Sequence, residues 1–182
     1  MVSQAQTFIA KTQTENRFIA AVQHLSIVAG VCASAMILAA VAITCQMIFV
    51  RFALNGSTVW QTEAVIYLMI AATIIGLPFV QHMRGHVNVD LIPLALPEPF
   101  RFYLAVFTLA MSCLIVAVMF FYGIEFWYLA CARGWMSDTV WAVRLWIPYL
   151  ALPIGFGLLL LQLIADLIAV ILKIETPYGL EE

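Results

Sequence analysis

Charged positions in this chain gather in short clusters separated by long stretches that have none. Residues 18–50, 64–83, 102–124 and 145–165 carry no Asp, Glu, Lys or Arg, giving runs of 33, 20, 23 and 21 residues. Crossing a hydrocarbon layer of ~30 Å takes about 20 helical residues, so each run is long enough. Lipid offers no partner to backbone N–H and C=O groups, which forces such runs into helices that satisfy their own hydrogen bonds. Barrel strands would be shorter and would alternate in polarity. The pattern predicts an all-α integral membrane protein with four transmembrane helices, spanning residues 22–50, 60–80, 102–128 and 146–172 within a single four-helix domain over residues 1–182. Four crossings put both termini on one side.

The polar segments between the runs refine this outline. The first run is far longer than the apolar region of a secretory signal and follows a 17-residue polar segment, so it reads as a retained helix. Ahead of it, Phe8, Ile9, Phe18 and Ile19 mix with Lys11, Glu15 and Arg17, a pattern that fits a short surface-lying amphipathic helix or a frayed tail. Asn55-Gly56-Ser57 supplies a turn before Trp60 opens helix two. Residues 81–101 hold His82, His86, Arg84, Gly85, Asp90, Glu98 and three prolines, and the apolar stretch 87–96 inside them suits a short interfacial helix between helices two and three. In the third connection, residues 130–146, charged and turn residues alternate with Trp135, Trp141 and Trp146. Pro148 begins helix four, where a missing N–H costs nothing, and Pro153 predicts a kink.

Composition agrees: 65% of the 182 residues are hydrophobic, 10% are charged, and the mean hydropathy is +1.04, against about one-quarter charged in soluble domains. With net charge −2 and no block of basic residues, nothing points to nucleic acid, and the partners to expect are membrane lipids and other membrane proteins. Lys11, Arg17, Arg84, Arg101 and Lys173 fall on the side of the termini, against Arg51, Arg133 and Arg144 opposite, which favours cytoplasmic termini. In that orientation Trp60, Trp127, Trp135, Trp141 and Trp146 form an aromatic belt at the outer interface.

Charges deep in a membrane mark ion and substrate pathways because they are too costly to keep there otherwise. Here the midplane portions are Leu, Ile, Val, Ala, Met and Phe with a few Thr, Ser and Cys, and paired short Gly-interrupted segments in two matching halves are absent from the sequence. A complete carrier within this chain is not expected, nor is an enzyme, and no cofactor or metal is indicated. Glu63 has two readings, an interfacial or helix-N-terminal carboxylate, or a polar contact to a partner helix. Glu125 needs only outer water, and Asp166 reaches the inner headgroups. His82 and His86 have i, i+4 spacing, but Gly85 between them argues for loop histidines over metal or haem ligands. Four cysteines raise a different class of function, a stand-alone four-helix redox protein that generates disulfides or binds haem. Cys32, Cys45 and Cys113 lie within membrane runs and no C-x-x-C occurs, so small apolar packing is the better reading. Ala29, Gly30, Ala33 and Ala35 in helix one and Gly155 and Gly157 in helix four suit close helix association, within the chain or with a partner.

Trp60-x-x-Glu63, Gly76, Arg84-Gly85-His86-Val87-x-Val89-Asp90 and Arg101, followed by Pro148-Tyr149 and Pro153-x-Gly155, resemble the small permease (Q, DctQ-type) subunit of tripartite ATP-independent periplasmic (TRAP) transporters. The similarity covers most of residues 50–165 and departs from the family at Thr62-Glu63, where two acids commonly stand together. The resemblance implies a four-helix inner-membrane subunit that braces a large multi-spanning permease subunit. That larger subunit would hold the sodium and substrate sites, and a periplasmic substrate-binding protein would deliver the solute, typically an organic acid. The Arg84–Asp90 element is expected to matter for assembly and not for substrate chemistry: it lies on the cytoplasmic side, Gly85 permits a sharp turn and Asn88 or Asp90 can cap an interface-lying segment.

Overall fold

A computed structural model describes residues 17–83 and 98–172. Within them the chain is helical: α1 (Arg17–Ala53), α2 (Val59–His82), α3 (Glu98–Arg133), a single turn α4 (Trp146–Tyr149) and α5 (Ala151–Ile171). Four stretches are long and apolar enough to cross a membrane, with α4 and α5 together making the fourth. The two interfacial helices expected before α1 and between α2 and α3 lie outside the described residues. At 1.5 Å per residue the 37 residues of α1 and 36 of α3 reach about 55 Å, well beyond the ~30 Å of hydrocarbon, so both must tilt or project from it.

The spans do not close into a square. α1 packs along α2, and α5 touches all three other spans, with α3 held almost wholly by α5 and α4. Small residues set these distances. Gly155 of α5 lies against the backbone of Ile74 in α2: a Cβ there would fall 2.6 Å from the Ile74 carbonyl oxygen and closer still to its Cγ2. Gly76 of α2 faces Ala33 of α1, where a Cβ would meet that of Ala33 at 3.3 Å. Ala29 and Ala33 are buried in the same seam. Gly30, Gly76, Gly155 and Gly157 therefore serve packing inside the chain, whereas Ala35 is exposed. The apolar centre is built by Val116 of α3 with Leu159 and Leu163 of α5, backed by Leu77 and Leu109.

The break in the fourth span falls at Leu150, three residues before Pro153. Proline has no N–H to give the carbonyl of Tyr149, so the i→i−4 ladder is interrupted there and resumes with Ile154 N donating to Leu150 O at 3.3 Å. α3 ends in a Schellman turn: Gly134 takes φ +61°, its N–H donates to Cys131 O (3.3 Å), and Trp135 N donates to Ala130 O (3.2 Å). The chain then forms a small hairpin over residues 135–145. Ser137 N donates to Val143 O and Leu145 N to Trp135 O, both at 2.9 Å, around a turn in which Ala142 sits at φ +47°. That hairpin, absent from a reading by apolar runs, crowns one end of the bundle.

Candidate functional site

Two polar clusters lie at opposite ends of the helices. At the hairpin end, Glu63 is one turn inside α2 and is 9% exposed. Its Oε1 accepts a hydrogen bond from Ser137 Oγ of the hairpin, and the hydroxyl of Thr139 stands 3.2 Å from that of Ser137. Glu63 Oε2 is buried with no hydrogen-bond partner. So Glu63 does not sit in open interface: the third connection folds back and covers it. Trp60, one turn earlier, meets Trp141 of the hairpin edge-on, ring centroids 6.2 Å apart. Trp135 packs edge-on against Phe126, and Trp127 Nε1 donates to the Trp146 carbonyl at 3.2 Å. The five tryptophans thus gather around the hairpin as a cap, and their aromatic neighbours, Phe126 and Tyr149, buttress it from α3 and α4.

At the end that carries the termini, polar side chains join three helices. Ser26 Oγ of α1 donates to Gln162 Oε1 of α5 at 2.7 Å, Gln162 Nε2 donates to Asp166 Oδ1 at 2.8 Å, and Gln81 Nε2 of α2 donates to Asp166 Oδ2 at 2.9 Å. Ser26 and Gln162 are 2% and 1% exposed. Asp166 is half-buried and committed to this chain of bonds, which corrects the expectation that it simply reaches headgroups. Gln162, three residues from the end of the uncharged run 145–165, is among the largest fully buried side chains, a polar contact that the reading by apolar runs passed over. The signal was present in the spacing, because residues 162 and 166 share a face at i, i+4 and Gln81 is the matching amide at the same depth of α2.

The motif residues do not converge on one site. Trp60 and Glu63 belong to the hairpin end, Gly76 to the α1–α2 seam, Arg101 to the first turns of α3 and Pro148 to α4. Arg84, Gly85, His86 and Asp90 lie outside the described residues, while His82 is in the last turn of α2 and helical, not in a loop. Glu125 is exposed on α3. The cysteines are free thiols; Cys32, Cys45 and Cys131 face outward and only Cys113 is partly packed, so apolar packing accounts for just one of the four. Among the described residues no three His, Cys, Asp or Glu come close enough to hold a metal.

The arrangement is one of helices tied to one another, with polar groups spent on interhelical contacts. Residues 40–173 match the model of the DctQ component of tripartite ATP-independent periplasmic transporters. The chain belongs to the DctQ family. It is therefore the small permease (Q) subunit of a TRAP transporter and a multi-pass membrane protein. No curated protein and no solved structure gives a match. The matched region of this DctQ chain takes in the hairpin, Glu63, Gln81, Gln162 and Asp166, whereas Ser26 and the Gly30–Ala33 part of α1 precede it.

Proposed function

We propose that this subunit is a static membrane scaffold for the large permease subunit, in sodium-gradient-driven uptake of an organic acid or similar solute brought by a periplasmic binding protein. The observation that carries the reading is the Ser26–Gln162–Asp166–Gln81 chain, which fastens α1, α2 and α5 together through buried and half-buried polar side chains. Interhelical hydrogen bonds of this kind are worth about 0.6 kcal/mol each, up to about 1.7, and the two here, Ser26–Gln162 and Gln81–Asp166, are joined by the Gln162–Asp166 bond within α5 and resist relative sliding of the helices. A part that is braced in this way suits support, leaving ion and solute binding to the larger chain. α3 adds a broad apolar surface: Phe100, Tyr103, Phe107, Leu114, Phe121 and Tyr128 are exposed along it.

In this reading the termini are cytoplasmic, the hairpin faces the periplasm, and the complex sits in the bacterial inner membrane. The Arg84–Asp90 element serves assembly: Gly85 allows a sharp turn, Asn88 or Asp90 can cap an interfacial segment, and Arg84 can hold headgroups or helix carbonyls. The test is purification through a tag on this chain, with mass spectrometry of what accompanies it and uptake measured in parallel. Single Ala replacements of Arg84, His86 and Asp90 are expected to lower recovery of the large subunit and uptake in proportion. A variant that keeps full assembly yet loses uptake or changes its sodium dependence would assign the element to the transport cycle instead.

A further inference from the structure

The hairpin end contains a carboxylate whose surroundings are incomplete. Glu63 is nine-tenths buried; one oxygen receives Ser137 Oγ, and the other is buried without a partner. No described Lys, Arg or His pairs with it. An ionised carboxylate held at low dielectric with a single neutral hydrogen bond is costly, and such groups are found paired, neutralised or coordinating an ion.

A basic side chain from another protein would have to lift the hairpin, which is held on both sides by the Trp60–Trp141 and Phe126–Trp135 contacts. A small ion needs no such opening. The oxygens within reach of Ser137 are hard donors, one carboxylate and two hydroxyls, with one formal charge among them. That set suits an alkali-metal cation better than a divalent or thiophilic metal. Gln61 Oε1 is also buried and unpartnered, but at i, i+2 it faces another side of α2 and is no part of the group.

We propose that Glu63, with the hydroxyls of Ser137 and Thr139, forms a binding site for an alkali-metal cation that locks the hairpin onto α2. The proposal is independent of the scaffold reading, because it concerns a site within this chain alone. The test is hydrogen–deuterium exchange of the 135–145 amides, with the full chain and whatever co-purifies with it in lipid nanodiscs. NaCl, KCl and choline chloride are compared at equal ionic strength, with rates corrected for intrinsic pH effects. In the wild type, sodium or potassium at ten times its Kd should slow exchange about tenfold relative to choline. Glu63→Gln, which keeps the shape and drops the charge, should exchange alike in all three salts. A Ser137→Ala, Thr139→Ala variant should need a higher ion concentration for the same slowing, which keeps the test open if Glu63→Gln misfolds. Equal wild-type rates in all salts, an undiminished cation response in Glu63→Gln, or full slowing in choline on acidification alone would each overturn the proposal.

Discussion

Gln81 of α2 donates a 2.9 Å hydrogen bond to Asp166 of α5, and through Asp166 the bond chain reaches Gln162 and then Ser26 of α1. The outcome of cutting it depends on where. Gln162→Leu preserves volume but removes two bonds and strands the Ser26 hydroxyl in the core, for a loss of about 1–3 kcal/mol. Gln81→Leu removes one bond near the helix end and is expected to lose about 0.5–1 kcal/mol. Unfolding of the detergent-solubilised chain by titrated SDS ranks the two, and an unchanged midpoint for Gln162→Leu would remove the network from the account of rigidity.

Gly155 and Gly157 are two residues apart in sequence and face different neighbours, Ile74 and Phe120. A Cβ at Gly155 runs into the Ile74 backbone, whereas a Cβ at Gly157 meets Phe120 Cε2 at 3.0 Å, the outer edge of a ring that can swing. Gly155→Ala should therefore force α2 and α5 apart and cost about 1–3 kcal/mol or more, the range of overpacked cores. Gly157→Ala should stay under about 1 kcal/mol. Thermal unfolding of both variants checks the order, and the reverse order would mean that the α2–α5 contact is looser than this spacing.

The long elements were legible because length and lack of charge are enough to demand a spanning helix, and the match of residues 40–173 bears out the family resemblance. What could not be read were pairings across distance. Glu63 and Ser137 are 74 residues apart, and nothing local to either announces the other. Ser26 and Gln162, 136 residues apart, look like isolated polar interruptions until α1 and α5 are side by side. The site of the break in the fourth span was legible only approximately, since Pro153 withholds a bond from the turn before it, and the bend appears at Leu150.

The aromatic contact that seats the hairpin can be weighed directly. Trp60 and Trp141 meet edge-on, an arrangement worth about 0.5–1.5 kcal/mol beyond burial. A double-mutant cycle of Trp60→Ala and Trp141→Ala, read by protease resistance of the hairpin, should give a coupling in that range. Both single variants should leave the Ser26–Gln162 end of the bundle unaffected. Additive effects with no coupling would mean the two rings are held separately.

Cys131 decides which way the molecule faces. It is exposed in the last turns of α3, beside the Gly134 turn at the hairpin end, whereas Cys32 and Cys45 lie inside the long uncharged run of α1 and Cys113 is partly covered. Lipid-facing thiols react poorly with a charged, membrane-impermeant maleimide because the thiolate is not formed in hydrocarbon. With five basic residues on the side of the termini against three at the hairpin end, intact cells should label this chain, and Cys131→Ala should abolish the labelling. A protease site placed at the C-terminus should be cut only after the membrane is opened, which covers the case in which the large subunit shields Cys131. Labelling that appears only in opened membranes, together with cleavage of the C-terminal site in intact spheroplasts, would put the hairpin in the cytoplasm. The tryptophan cap would then face away from any periplasmic partner.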